Sequence, residues 1–136
     1  MGFVAVFIAM AITDFCIHVV ILAPVYQSDA LKGLWRPDMQ SKIWIFYVTY
    51  IIISFFFTLI FSKGYEGKGI IEGVRYGLYV GILMATPMAY SSYAMYPLPY
   101  SLVLQWFIYG VIQYVILGII VAAVFGKRSP SASPAM

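Results

Sequence analysis

Four long apolar runs dominate the sequence and restrict what it can fold into. Each holds about the 20 residues that a helix needs to cross the hydrocarbon core of a bilayer. They cover Phe3 to about Ala23, Ile43 to Phe61, Ile70 to Tyr93 and Ser101 to Phe125. In lipid, an unbroken apolar run of this length satisfies its backbone N–H and C=O groups as a helix. We therefore predict an all-α fold, a membrane-spanning four-helix bundle formed by one domain over residues 1–126.

The composition also indicates that lipid is the solvent. Of the 136 residues, 63% are hydrophobic and 10% are charged, with a mean hydropathy of +0.93, whereas about a quarter of the residues of soluble domains are charged. The eight Lys and Arg give a net charge of +3, but they are scattered near the ends of the apolar runs rather than clustered in a patch that would bind nucleic acid. We expect membrane lipid as a partner and no nucleic acid.

The distribution of basic residues predicts the orientation. Basic residues flank the second loop and follow the last run, whereas the third loop has none, and Lys and Arg prefer the cytoplasmic side. This inner set is Lys63, Lys68, Arg75, Lys127 and Arg128. The first loop opposes the assignment, because Lys32, Arg36 and Lys42 would then lie outside. We predict that both termini are cytoplasmic, with a short interfacial amphipathic segment in the first loop and a disordered tail over residues 127–136.

Small residues recur along the third run with a strict spacing of four. They leave one side of that helix nearly free of side chains, so that another helix can approach closely. The stripe consists of Gly73, Gly77, Gly81, Ala85 and Ala89, and the fourth run offers Gly110, Gly118 and Ala122 opposite it. We predict packing between these two helices, with a contact to another subunit as the alternative. Pro87 is expected to kink the third helix near its outer end.

Asp14 and His18 are the most informative pair in the sequence. They lie four residues apart and so on one helix face, and a carboxylate near mid-membrane costs about 2.5–3.5 kcal/mol on insertion scales. One hypothesis is a proton- or cation-handling pair in which the carboxylate sets the tautomer and basicity of the imidazole. The alternative is an interhelical hydrogen bond that holds the bundle together.

Further polar side chains are expected in the same outer half of the bundle. The fourth run carries Gln105, Tyr109 and Gln113 at intervals of four, and the other members are Tyr47, Tyr50, Tyr90 and, if it folds inward, Arg36. Together with Asp14 and His18 they predict a polar pocket, since intramembrane polar groups are often functional. The alternative is hydrogen bonding between helices plus an interfacial aromatic belt. That belt would consist of Trp35, Trp44, Trp106, Tyr26, Tyr96 and Tyr100.

The sequence predicts no cofactor. His18 is the only histidine and Cys16 the only cysteine, so a metal site would have too few of the usual ligands, and haem at His18 would need a second ligand from a methionine or another subunit. The second loop, residues 64–69, is glycine-rich but lacks the Lys-Ser/Thr ending of a phosphate-binding loop. We predict a tight turn there, with an ion pair between Glu72 and Arg75 one helical turn later.

Several short motifs together resemble a known family. They are Asp14-x-x-x-His18, Tyr26-Gln27, Leu34-Trp35-Arg36-Pro37, Gly64-Tyr65-Glu66-Gly67-Lys68-Gly69, Glu72-Gly73-x-Arg75-Tyr76-Gly77 and Pro97-Leu98-Pro99. This pattern resembles an uncharacterised family of small bacterial four-helix integral membrane proteins. The resemblance implies a bacterial cytoplasmic membrane and carries no established activity.

Two kinds of function agree with these features. The absence of a nucleophile–base set or nucleotide motif favours a non-enzymatic membrane protein, either an accessory subunit of a larger complex or a bundle that binds lipid or another apolar ligand. The second hypothesis is a small proton- or cation-coupled transporter that works through Asp14 and His18, as a homo-oligomer. A membrane-embedded enzyme ranks third, because His18 is the only obvious acid or base near neutral pH.

Overall fold

The computed structural model describes residues 2–29, 31 and 33–126, and in these residues the chain is helical, with no strand. Helix α1 (Gly2–Phe15) continues as a π-helical stretch (Cys16–Ile21), followed by the short α2 (Ala23–Tyr26). A 3₁₀ turn (Met39–Lys42) leads into α3 (Ile43–Gly64). Helix α4 (Ile70–Thr86) passes through a second π-helical stretch (Pro87–Ser91) into α5 (Ser92–Met95), and α6 (Tyr100–Phe125) follows. The predicted tail, residues 127–136, lies outside the described residues.

Three stretches are long and apolar enough to cross a membrane: Gly2–Ile21, Met39–Gly64 and Tyr100–Phe125. Their outward side chains are apolar, as Ile52 and Phe56 on α3 illustrate with about half of their surface exposed. An apolar exterior of this kind suits lipid. The predicted all-α fold is confirmed for the described residues, with three helices apolar enough to cross a membrane. Helix α4 has 17 residues before the π-helical stretch, so the count of four spans stays a prediction.

The long helices alternate in direction. At the start of α1, a Cβ built on Gly2 would lie 3.1 Å from the Thr58 side chain and 3.3 Å from the Phe125 ring, so α1 runs antiparallel to both α3 and α6. Gly2 and Phe125 therefore share one end of the molecule. We call the half of the molecule at this end the terminal half, and the opposite half, which holds the first and third loops, the loop half.

Helices α4 and α6 approach each other through the small-residue stripe. A side chain at Gly73 or Gly77 would collide with the α6 backbone at the carbonyl groups of Gly118 and Tyr114. At Gly81 an added Cβ would lie 3.0 Å from the Val111 Cα, and at Gly110 it would lie 3.2 Å from the Ala85 Cβ. The contact is thus made by backbone along most of α4, which is possible because these positions lack side chains.

Aromatic side chains fill the terminal half. Phe57 and Phe61 of α3 are almost fully buried, and the Tyr76 ring lies 4.7 Å and 5.2 Å from theirs between ring centroids. The Tyr76 hydroxyl donates to the Phe57 carbonyl oxygen at 2.7 Å, while Tyr114 of α6 packs against Phe57 at 5.8 Å. Since α3 and α4 meet through these large side chains, the terminal half is a packed core.

The second loop is organised by Glu72. Its buried carboxylate accepts hydrogen bonds from the backbone N–H groups of Glu66, at 2.6 Å, and Lys68, at 2.9 Å. Arg75 instead donates to the Glu66 carboxylate at 2.8 Å, so the predicted Glu72–Arg75 pair is wrong. The hydrogen bonds from Lys68 and Arg75 hold the pKa of the exposed Glu66 carboxyl below its usual value. The Glu72 carboxylate is a strong acceptor for the N–H groups of the loop, and it lies near the N-terminal end of α4, where a negative charge is favoured.

The first loop folds back onto the bundle. Leu31 is fully buried beside Leu22, and the Trp35 indole N–H donates to the Tyr26 carbonyl oxygen at 2.9 Å. The described residues between Tyr26 and Met39 form turns rather than a helix. The first loop, which we expected to lie along the membrane interface, therefore packs onto the loop half through Leu31 and Trp35.

A methyl group at the α4–α6 contact should destabilise the fold. We expect Gly77→Ala to lower the free energy of unfolding by about 1–3 kcal/mol, the usual range for overpacking, because the Tyr114 carbonyl occupies the space. The matched control is Gly64→Ala, where nothing lies within 4 Å of an added Cβ. Thermal unfolding in detergent compares the two, and equal melting temperatures would show that α4 does not depend on this contact.

The two glutamates of the second loop should differ in their contribution to stability. Glu72→Gln keeps one acceptor oxygen for two N–H donors and should cost about 1–3 kcal/mol, as expected for a buried charged acceptor. Glu66→Gln breaks only exposed ion pairs, which solvent screens, and should cost less than Glu72→Gln. Chemical denaturation of both variants measures the difference, and a larger loss for Glu66→Gln would contradict the assigned roles.

Candidate functional site

Asp14 lies at the point where α1 changes its geometry. The Thr13 hydroxyl donates a hydrogen bond to the Ala9 carbonyl oxygen at 2.8 Å. From Cys16 onward the helix widens into its π-helical stretch. Such stretches occur often at functional sites. The side chains of Asp14 and His18 are 22% and 31% exposed, so both face the bundle interior from a helix whose other positions are nearly all apolar.

The two carboxylate oxygens of Asp14 have different partners. The Tyr50 hydroxyl on α3 donates a short hydrogen bond to Oδ2. Oδ1 lies 3.7 Å from His18 Nε2, which is too long for a hydrogen bond but close enough for an electrostatic interaction. Asp14 is thus anchored to a neighbouring helix through one oxygen, and its second oxygen has no hydrogen bond among the described residues.

Tyr26 joins three elements at the loop end of the site. Its hydroxyl lies 2.6 Å from His18 Nδ1 and accepts a hydrogen bond from the Trp106 indole N–H at 2.7 Å. Its ring stacks on the imidazole with an interplanar angle of 11°. Burial raises the pKa of Tyr26 to about 12, so the hydroxyl stays protonated near neutral pH and has one hydrogen to donate.

These contacts favour one tautomer of His18. An indole N–H only donates, so the hydrogen of the Tyr26 hydroxyl has His18 Nδ1 as its acceptor among the described residues. The neutral imidazole then carries its own hydrogen on Nε2, the nitrogen that faces Asp14. The sequence analysis assigned this orienting role to the carboxylate, whereas in the structure the hydrogen bond that fixes the ring comes from Tyr26.

A cavity of about 190 Å³ lies beside this pair. Since one water takes up roughly 30 Å³ of liquid, the cavity has room for several waters, but it is smaller than the roughly 300–1,000 Å³ of typical ligand pockets. Gln113 on its wall donates to Thr13 Oγ1 at 2.9 Å. The polar lining consists of Asp14, His18, Trp106, Gln113 and Tyr114, and the apolar lining includes Ile17, Ile53, Met84 and Met88.

The structure brings only some of the predicted pocket residues together. Asp14, His18 and Gln113 line the cavity, and Tyr50 reaches it through its bond to Asp14. Gln105 and Tyr109 are not on its wall. The reason is geometric, because each step of four residues turns a helix about 40° past a full turn, so a stripe of three such positions does not face one point.

Three other predicted members lie elsewhere. Arg36 pairs with Asp38 at 3.0 Å in the first loop and is 67% exposed, so it does not fold inward. Tyr90 shares a hydrogen bond with Tyr100 at 3.1 Å. Tyr47 is 52% exposed and touches the site only through the ring of Tyr50. None of the three lines the cavity.

The aromatic members of the site could not be predicted from the sequence. Tyr26 and Trp106 were expected in an interfacial belt, yet the Tyr26 hydroxyl contacts His18 and accepts a hydrogen bond from the Trp106 indole N–H. No feature of the pattern separates a tyrosine or tryptophan that faces lipid from one that faces protein, since both orientations suit a ring with one polar atom. Met84 and Met88 were likewise hidden among apolar residues.

The described residues contain no group of three His, Cys, Asp or Glu side chains that would hold a metal ion. Comparison with known proteins adds no further assignment, because no family model, curated protein or solved structure matches the chain. The geometry of the cavity and its lining is therefore the basis for the function proposed below.

The Tyr26 hydroxyl should contribute to the stability of the site. We expect Tyr26→Phe to cost about 1–3 kcal/mol, because the half-buried Trp106 N–H loses its acceptor, and to increase hydrogen exchange of that N–H measured by NMR. Tyr79→Phe is the control, since Tyr79 is 63% exposed on α4. Unchanged exchange at Trp106 after Tyr26→Phe would show that the hydrogen bond does not hold the site.

Proposed function

We propose that the chain is a small proton- or cation-coupled transporter that crosses the membrane four times, with Asp14 and His18 as the groups that bind the cation. The observation that supports this proposal is that the two side chains, 3.7 Å apart, line the same cavity inside the bundle. A carboxylate and an imidazole that share a cavity within a membrane protein are placed to exchange a proton or to bind a positive charge.

The size of the cavity favours this function over lipid binding. At about 190 Å³ it has too little volume for an acyl chain with its headgroup, while a hydrated proton or a monovalent ion fits. Its chemistry agrees, because Asp14 is the only carboxylate among the residues that line it. A role as accessory subunit stays a prediction, and the apolar exterior of the helices suits lipid and a partner subunit equally.

The tightly packed terminal half restricts the path of a cation through such a transporter. The aromatic packing of Phe57, Phe61 and Tyr76 fills the space between the helices on the terminal side of the cavity. Passage of a cation to that side requires a rearrangement of the helices. The two π-helical stretches, Cys16–Ile21 and Pro87–Ser91, flank the cavity, and such stretches are common at functional sites, so we assign the hinge to them.

The topology completes the proposal. The basic residues of the second loop and of the sequence after α6 place the terminal end at the cytoplasm, according to the positive-inside rule. The loop end, with its cavity, then faces the outside of a bacterial cytoplasmic membrane, as the family resemblance implies. In this arrangement the Asp14–His18 pair takes up its cation from outside the cell.

Flux measurements on purified protein in liposomes test the function. We expect wild-type liposomes to dissipate an imposed pH gradient, or to take up protons in response to a Na⁺ or K⁺ gradient, faster than protein-free liposomes. Asp14→Asn and His18→Gln should abolish this flux, because neither new side chain changes its charge between pH 5 and 8.

The control is Asp38→Asn, which removes an exposed carboxylate of the first loop that does not line the cavity and should leave the flux unchanged. Melting temperatures in detergent verify that each variant is folded. Wild-type flux no greater than that of protein-free liposomes under every gradient, or undiminished flux in Asp14→Asn, would overturn the proposal.

A further inference from the structure

Two methionines line the same cavity as the Asp14–His18 pair. Met84 comes from the last turn of α4 and Met88 from the π-helical stretch after it, and both line the cavity together with His18. We infer that this cavity is a binding site for a soft monovalent metal ion of the Cu(I) or Ag(I) type. The ligands are His18 Nε2 and the thioether sulfurs of Met84 and Met88. This inference rests on the proposed function and names the class of cation.

The ligand chemistry selects a soft ion. Thioether sulfur binds Cu(I) well and binds hard ions such as Na⁺, K⁺ or Mg²⁺ poorly. Imidazole nitrogen suits the same soft ions. A methionine side chain has three rotatable bonds, so two sulfurs on neighbouring turns are able to reach one ion in a space of about 190 Å³.

The charge of the cavity favours a single positive charge. Asp14 is the one carboxylate on the cavity wall, and its Oδ1 has no hydrogen bond among the described residues. A monovalent ion at His18 Nε2 would lie beside this oxygen, since the two atoms are 3.7 Å apart. One negative and one positive charge then compensate each other, which reduces the cost of burying either in the bundle.

The hydrogen bonds around His18 accommodate a metal. When Nε2 binds the ion, the ring hydrogen moves to Nδ1, which lies 2.6 Å from the Tyr26 hydroxyl. A hydroxyl oxygen has two lone pairs, so Tyr26 is able to accept from Nδ1–H and from the Trp106 indole N–H at once. Metal-bound histidines commonly donate their second N–H to an oxygen in this way. No proton is gained or lost in the exchange of tautomers.

Titration with Ag⁺ measures the site without redox chemistry. The background is Cys16→Ala, because Cys16 is an exposed thiol that would itself bind silver. We expect the folded protein in detergent to bind one Ag⁺ per cavity by calorimetry and to compete with a Cu(I) chelator under reducing conditions. An excess of Na⁺ or K⁺ should not displace the ion.

Variants of the ligands decide between a metal site and apolar packing. Leucine replaces methionine with little change in volume, so Met84→Leu combined with Met88→Leu should fold normally and lose the stoichiometric binding. His18→Gln should lose it too, and Tyr26→Phe should weaken it by about 10- to 100-fold, as removal of a hydrogen-bond partner of a ligand usually does. The control is Met95→Leu, at a methionine on α5 that is 70% exposed.

Each outcome is informative. Loss of binding in the double variant but not in Met95→Leu supports the site. Equal Ag⁺ affinity in the double variant and the Cys16→Ala background, or no binding by that folded background, overturns it. Proton flux that depends on Asp14 in a protein without Ag⁺ binding would leave the proposed transport function intact, so the two proposals fail separately.

Discussion

The backbone contact between α4 and α6 is the interaction on which the rest of the structure depends. Gly73, Gly77 and Gly81 allow the backbones of the two helices to come into direct contact. Ala85 and Gly110 continue this contact, and these two residues form part of the cavity wall. Beyond them Pro87 starts the π-helical stretch. The cavity therefore lies beside the contact, at its loop-side end.

A second constraint is the carboxylate on α1. In lipid an ionised side chain needs protein or water as its neighbour, and α1 meets this need by facing α3 and α6 at Asp14. Tyr50 binds one carboxylate oxygen, and the chain of contacts from Trp106 through Tyr26 reaches His18 on the other side. These bonds connect α1 with α2, α3 and α6. Asp14, His18 and Trp106 take part in these contacts and also line the cavity, which explains why the sequence supported both a structural and a functional hypothesis.

The site could be predicted in part from the sequence. Asp14 and His18 were found because charged and titratable groups are rare in apolar runs, and Gln113 and Tyr50 because polar groups inside such runs need partners. Gln105, Tyr109, Tyr47 and Tyr90 shared these features but have other neighbours in the structure, while Arg36 pairs with Asp38 in the first loop. For the four residues in the apolar runs the error has one cause: the sequence shows which side of its own helix a residue occupies, and it does not show how that helix is rotated about its axis.

The sequence by itself determined that the chain is helical, which helices are apolar enough to cross a membrane and where they allow close contact, because hydropathy and residue size act locally along the chain. Only the tertiary structure decided which aromatic rings turn inward, that Glu72 serves the second loop rather than Arg75, and that Met84 and Met88 meet His18 in one cavity. Each of these contacts joins residues from different turns or different helices. Their geometry follows from how the packed helices are rotated about their axes and shifted along them. These helices are apolar on nearly every side, so their sequence pattern specifies neither the rotation nor the shift.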